Sequence, residues 1–181
     1  VKSSQGGSPI QIQISKGNRT EIITADKVLI SAGIYSNFLD IESFNLPELP
    51  LTVESILSIL FRCSPEMAES YALMPPINYK TETEPIFDLS ILTPFQYADG
   101  ETYLKCVVYS EENMILNASG EINRWFQSTP ELNALDALLS VIERIIPGLT
   151  NAEYWMKPCA LCNTPSGIPI IDILQDGRIY T

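Results

Sequence analysis

The sequence predicts an α+β fold: a mixed, mainly antiparallel sheet with one long packed helix. Three observations predict it. Short apolar segments with strand patterning recur from the N-terminal region to the last residues. Turn chemistry rich in Gly, Asn, Asp and Pro joins many of them. A single segment, Pro130 to Ile146, carries a long stripe of helical period.

Along the chain, Pro9 to Ser15 alternates, with Ile10, Ile12 and Ile14 on one face and Gln11 and Gln13 on the other. That is a half-buried strand. Lys16-Gly17-Asn18-Arg19 reads as a turn and Thr20 to Thr24 as the return strand of a hairpin. Lys27 to Ser31 is apolar on both faces and reads as a strand internal to a sheet. Tyr35 to Phe44 reads as a short helix, and the Pro-rich Asn45 to Pro50 as a connector and domain boundary. Leu51 to Arg62 fits a long strand or a buried helix, with strand favoured. Ser64 to Tyr79, with Pro65, Pro75 and Pro76, reads as loop. Pro85 to Pro94 and Glu101 to Tyr109 read as strands of a second antiparallel sheet, with turn residues Tyr97 to Gly100 between them. A helix near Glu121 to Gln127 is expected to pack Trp125 and Phe126 inward.

The long helix has Ser128 or Thr129 as its expected cap, Pro130 in its first turn and Glu131 at its positive end. Leu132, Leu135, Leu138, Leu139, Ile142, Ile145 and Ile146 form its stripe, and Pro147-Gly148 stops it. Glu153 to Cys162 and Ile168 to Leu174 read as strands separated by the turn Asn163 to Gly167. Gln175-Asp176-Gly177 reads as a tight turn, and Arg178 to Thr181 starts a further strand.

Composition bounds the function. The 181 residues fit one medium domain or two small ones, and the formal net charge of -11 argues against nucleic acid or an anionic membrane as partner. No apolar run reaches the roughly 18–20 residues of a spanning helix, and no secretory signal is recognisable, so the expected setting is the cytoplasm. Cys63, Cys106, Cys159 and Cys162 are then expected to be reduced. Cys159 and Cys162 form a CxxC pair in extended-looking sequence, which suits neither a redox motif opening a helix nor zinc without a second soft pair. No metal site is expected, and the absence of histidine excludes a His-based triad or base within the chain. The sequons at Asn18 and Asn117 are expected to be chance matches.

The stretch Lys27 to Ser36 ends an apolar strand in a small-residue corner. Gly33 admits a positive φ or the close approach of a ligand, and ligands sit beyond the carboxyl ends of strands in open α/β sheets. Thr24-Ala-Asp-Lys-Val-Leu-Ile-Ser-Ala-Gly-Ile-Tyr-Ser36 resembles a segment of the FAD-dependent amine and amino-acid oxidoreductases, the D-amino-acid oxidase, glycine oxidase and sarcosine oxidase superfamily. Lys157-Pro-Cys-Ala, Thr164-Pro-Ser-Gly-Ile-Pro-Ile-Ile-Asp172 and Asp176-Gly-Arg-Ile-Tyr-Thr181 are similar to the C-terminal passage of that superfamily. The order and spacing of these segments cover nearly the whole chain.

The resemblance implies remnants of a flavin-binding α/β domain at both ends of the chain. Residues 1–46 would be the C-terminal part of the FAD-binding domain, 47–163 the substrate-binding domain, and 164–181 return strands to the FAD-binding domain. FAD is the implied cofactor and a small amine or amino acid the implied substrate, oxidised by hydride transfer to flavin. Ser31, Ala32, Gly33, Ser36, Thr164, Pro165 and Gly167 are the implied flavin contacts. Ser36 has a second reading, favoured on physical grounds, as cap of the following helix. Asp88, Tyr97, Tyr103, Lys105 and Lys157 are the candidates for lining a substrate cavity, because alternate strand residues share a face.

Departures from the pattern bear on activity. The G-x-G-x-x-G turn of the superfamily is absent, and Gly6-Gly7 lacks the strand and helix that would replace it. Ser31 stands where alanine is usual and Tyr35 where tryptophan is common. The chain by itself is therefore expected to bind FAD weakly or not at all. The alternative is a stand-alone binding or interaction domain without catalysis.

Overall fold

The computed structural model describes residues 9–39, 48–81, 85, 87–175 and 178–181. Strands β1 (Ile10–Lys16), β2 (Arg19–Ala25), β3 (Val28–Leu29) and β4 (Thr52–Arg62) come first, followed by helix α1 (Pro65–Ser70). Next are β5 (Ile77–Lys80), β6 (Phe87–Ile91), β7 (Phe95–Gln96) and β8 (Thr102–Ser110). Helices α2 (Ser119–Gln127) and α3 (Leu135–Ile145) precede β9 (Tyr154–Asn163), β10 (Ile173–Gln175) and β11 (Ile179–Tyr180). The fold is α+β, and the sheets are mostly antiparallel, as the strand patterning predicts.

The chain divides into two compact units. One comprises Val1–Val53 with Cys162–Thr181, the other Glu54–Leu161.

In the first unit β1 and β2 form the predicted hairpin, closed by a turn in which Gly17 has φ 59°. Ile10 is buried, Ile12 is half-buried and Ile14 is exposed, so the apolar face of β1 is covered at one end only. A second small sheet has the order β10-β11-β3, in which β3 runs parallel to β11. The core of this unit is Ile10 of β1 and Ile179 of β11, with Ile12, Val28, Ile30 and Leu174 packed against them. The strand expected at Lys27 to Ser31 is therefore short and lies at a sheet edge, with Leu29 69% exposed. An apolar run signals an internal strand only where a second layer covers its other face. The segment Ile168 to Leu174 is also corrected: only Ile173 onward is strand, while Ile168 and Ile171 are unpaired and exposed. The expected helix after Gly33 is a 3-10 helix, Gly33–Phe38. Its expected continuation through Ile41 to Phe44, most of the connector, the early Gly6-Gly7 and the turn at Asp176-Gly177 lie outside the described residues.

In the second unit a six-stranded sheet has the order β5-β6-β8-β4-β9, with β7 paired to β8. Leu57 faces Val108 and Phe61 faces Leu104 across β4 and β8, and these odd β4 and even β8 residues point into one core. Leu138, Val141, Ile142 and Ile146 of the long helix and its end pack on that face. Pro158 falls on β9, an edge strand, where a missing N–H costs least.

Three readings in this unit are corrected. The Ser64 to Tyr79 loop contains α1 and β5; Ser64 Oγ accepts from Met67 N and Pro65 opens the helix. The long helix begins at Leu135 rather than Pro130, and neither Ser128 nor Thr129 caps it. Ser128 instead ends α2, donating from its Oγ to Trp125 O, while Glu112 holds the Asn133 amide ahead of α3. Phe126 does not pack inward, being 43% exposed, whereas Trp125 packs against the core.

Candidate functional site

The cofactor candidates lie in the first unit. Gly33 has φ 54°, and a Cβ built on it would meet nothing within 4 Å, so both reasons for a glycine hold at once: a left-handed backbone and open space. Ser31 is exposed, Ala32 half-buried. Ala32 O accepts from Tyr35 N and Ala32 precedes the 3-10 helix without a side-chain cap. Ser36 lies inside that short helix and does not cap it, which corrects the capping expectation.

The other cofactor candidates form a turn. Thr164 O accepts from Gly167 N, Thr164 Oγ1 donates to Ile168 O, and Gly167 has φ 69° with open space where a Cβ would sit. Pro165 is exposed at its tip. Cys162, two residues before this turn, directs its thiol toward Gly33 O at 3.9 Å. The corner and the turn thus neighbour each other, a pairing across 129 residues that no local pattern shows.

The substrate candidates lie in the second unit, on the face of its sheet that α3 does not cover. On β8 the core takes Leu104, Cys106 and Val108, so Tyr103, Lys105, Val107 and Tyr109 point the other way. Register adds neighbours: Arg62 faces Tyr103, Leu60 faces Lys105 and Asp88 faces Tyr109. On β9, Tyr154 and Met156 pack into the core, so Trp155 and Lys157 share the open face.

At one end of this face the aromatic residues gather. Tyr97 packs edge-on to Tyr103 at 5.1 Å between centroids and stacks on Phe95 at 4.6 Å. Tyr103 also meets Trp155 edge-on at 5.8 Å. The Arg62 guanidinium lies over the Trp155 ring at 5.1 Å and is held by Glu153 at 3.1 Å and Glu101 at 3.8 Å. The Tyr103 hydroxyl donates to Asp99 Oδ2 and lies beside the Arg62 guanidinium. Tyr103 raises the Arg62 pKa most; burial opposes it, and Glu153 and Glu101 add to it. Burial, then the neighbouring Cys159 and Asp99, push the Tyr97 phenol up. The buried Cys106 thiol, on the core face, is pushed up to about 12 by desolvation.

Tyr97 and Tyr103 are therefore brought together. Lys105 follows Tyr103 on the same face and has no ion-pair partner among the described residues. Lys157 is exposed. Asp88 stands apart from the aromatic cluster, across from Lys80, whose Nζ is 3.5 Å from its carboxylate. Arg62, Trp155 and Phe95 belong to the cluster although sequence reasoning passed over them. A signal existed for two of them: Arg62 is the one cation at the end of a strand whose second half is mostly apolar, and Trp155 lies two residues from Lys157.

No protein-family profile matches the sequence, and no curated protein matches it. Among solved structures the chain is similar to the crystal structure of a modified fructosyl peptide oxidase from Aspergillus nidulans, with a TM-score of 0.52 and 16% identity. The match covers 88% of this chain and 37% of that chain. At that identity the likeness is one of fold, and this chain spans little more than a third of the length of the oxidase it matches.

Proposed function

We propose that this chain is the substrate-binding part, with flavin-contacting segments, of an FAD-dependent oxidoreductase acting on a small amine or amino acid. The observation that supports the reading best is the likeness in fold to an oxidase over 88% of the chain. The cofactor candidates fit the group: Gly33 and Gly167 leave open space at left-handed backbone positions, and the thiol contact between Cys162 and Gly33 makes their segments neighbours. Ser31, Ala32, Gly33 and Ser36, with Thr164, Pro165 and Gly167, would hold FAD. When bound, FAD supplies the acceptor for a hydride from the substrate carbon.

The residues of the chain would bind and orient the substrate. Tyr97 and Tyr103 form a rigid apolar wall, held by Phe95, Trp155 and the Asp99 carboxylate. Lys105 and Lys157, on the same face, would pair with a substrate carboxylate, whereas Asp88, level with Tyr109 and held by Lys80, would stand too far along the sheet to meet the amine of the same small substrate. The acidic surface of the rest of the chain excludes competing polyanions.

The test is the absorption spectrum of the full-length protein that carries this chain, before and after anaerobic addition of small amino acids and amines. Bound flavin bleached by one of them is the expected result; a full-length protein that takes up no flavin on reconstitution overturns the reading. Lys105→Met is expected to raise KM for a carboxylate substrate about tenfold while kcat changes little, since a charge-assisted bond contributes about 1.5–3 kcal/mol.

A further inference from the structure

A cleft of about 570 Å³ lies in the second unit between α2 and the segments on either side of it. Met114, Ile115, Leu116, Trp125 and Pro130 give it apolar walls, and Glu121, Arg124 and Glu131 give it charges of both signs. Its volume falls in the range of small-molecule sites, which combine apolar walls with a few convergent polar groups. Its lining shares no residue with the aromatic cluster, although the Trp125 indole donates to Cys159 O and Cys159 also neighbours Tyr97. Ile115 bridges to Glu54 near the start of β4, whereas Arg62 ends that strand.

Two features of the cleft stand out. Met114 and Ile115 are 51% and 52% exposed, apolar surface that the fold leaves open to solvent. Arg124 and Glu131 line the same cleft, yet among the described residues neither is in an ion pair or a side-chain hydrogen bond. Arg124 folds back along α2, its Nη1 3.6 Å from the place a Cβ on Gly120 would occupy. Glu121 is partly engaged, because one carboxylate oxygen accepts from Asn117 N. A positive and a negative group therefore face one space without meeting, beside apolar walls and an indole.

We propose that this cleft is a second binding site, for a free α-amino acid with an apolar side chain. The carboxylate of such a ligand pairs with the Arg124 guanidinium, whose planar fork suits it. The ammonium pairs with Glu131, supported by the free oxygen of Glu121. The side chain covers Met114, Ile115 and Trp125. A simple anion would meet two carboxylates, whereas a zwitterion satisfies the guanidinium and a carboxylate together. The proposal does not rest on the oxidoreductase reading.

Trp125 and Trp155 are the two tryptophans of the chain, so Trp155→Phe leaves Trp125 as the sole indole reporter. The experiment titrates that variant with L-leucine, L-leucinamide and N-acetyl-L-leucine, following Trp125 fluorescence, with calorimetry on the unaltered protein alongside. Saturable binding of leucine is expected, at least about tenfold tighter than either blocked analogue, since each lacks one charge-assisted bond. Arg124→Gln should weaken leucine binding by about the same factor. Glu131→Gln should weaken leucine but leave N-acetyl-leucine unchanged. Equal binding of the three probes, an undiminished response in Arg124→Gln, or no saturable heat or fluorescence change would overturn the proposal. A flavin-free full-length protein would bear on the oxidoreductase reading alone, because this titration reads neither flavin nor turnover.

Discussion

Tyr103 donates to Asp99, meets the rings of Tyr97 and Trp155 and lies beside Arg62 while only 6% exposed. Tyr103→Phe keeps both ring contacts and removes the hydroxyl between Asp99 and Arg62. Asp99 retains the Glu101 amide as a second donor, and both partners reach water. The expected cost is therefore the ordinary net value of a hydrogen bond, about 1 kcal/mol, read as a lower midpoint in chemical denaturation. The ion pairs of Arg62 contribute less than their geometry suggests, because its side chain is 43% exposed and water screens them. Glu143 shows the same chemistry at a helix end. Its carboxylate accepts from Gly148 N and from the Thr150 hydroxyl and amide, and those bonds lower its pKa below the ordinary 4.5, with Thr150 the largest cause. A depressed carboxylate pKa adds stability above the unfolded value and loses it as pH falls through the folded value. Glu143→Gln should therefore unfold at a lower denaturant concentration than the parent at pH 7, and the gap should close as the pH is taken well below 4.5. An equal gap at both ends of that range would show that the carboxylate charge is not what holds the loop. The sequence makes Tyr103 a candidate through strand alternation alone. Its partner Arg62 meets Glu153 across 91 residues, and a contact of that separation leaves no local trace.

Elements were legible where one rule governed and obscure where two competed. The hairpin follows from period-two patterning and a Gly turn, whereas Leu51 to Arg62 fits strand or buried helix until the core covers its alternate residues Leu57, Ile59 and Phe61. Helix α1 was hidden by its prolines, yet Ser64-Pro65-Glu66 is a start signal: a capping hydroxyl, a proline in the first turn and an acid near the positive end. At six residues α1 is too short to persist on propensity, so its cap matters more than in a long helix. Ser64→Ala is expected to cost about 1 kcal/mol and to raise amide exchange at Met67 and Ala68. Unchanged exchange there would mean that packing of Met67 and Ala68 on the core, rather than the cap, holds the turn. Helix α3 starts late because Leu132 is already buried ahead of it and Glu112 takes the Asn133 amide, so the chain is pinned before the helical turn begins. Strand β3 departs from expectation for the opposite reason: its apolar residues are present, but Leu29 has no covering layer among the described residues.

The two units differ in how much core each has. In the second, Phe61, Phe87, Ile59, Leu89, Ile91, Leu104, Leu138 and Ile142 are all at or below 2% exposure and belong to one cluster. In the first, the buried cluster is Ile10 and Ile179, supported by four half-buried aliphatic residues. Local patterning divides the chain near its Pro-rich connector but carries no signal for grouping the residues from Cys162 onward with the first, which only the family resemblance implies, because the parallel pairing of β11 with β3 joins residues some 150 positions apart. Local opening free energy follows buried apolar contact, so protection from hydrogen exchange should be unequal. Amides of β4 and β8, paired on both sides in the six-stranded sheet, should exchange slowest. Amides of β3 and of the β1–β2 hairpin, whose sheets have only two or three strands, should exchange fastest. Phe61→Ala tests the cause. It removes a fully buried ring that packs at 5.3 Å on Tyr154, at an expected cost of about 3–5 kcal/mol. That loss should erase most of the protection of β4 and β8 while leaving the already fast hairpin amides where they were. Uniform acceleration across both units would instead mean that the chain opens as one cooperative body, with the small core of Ile10 and Ile179 no weaker than the large one.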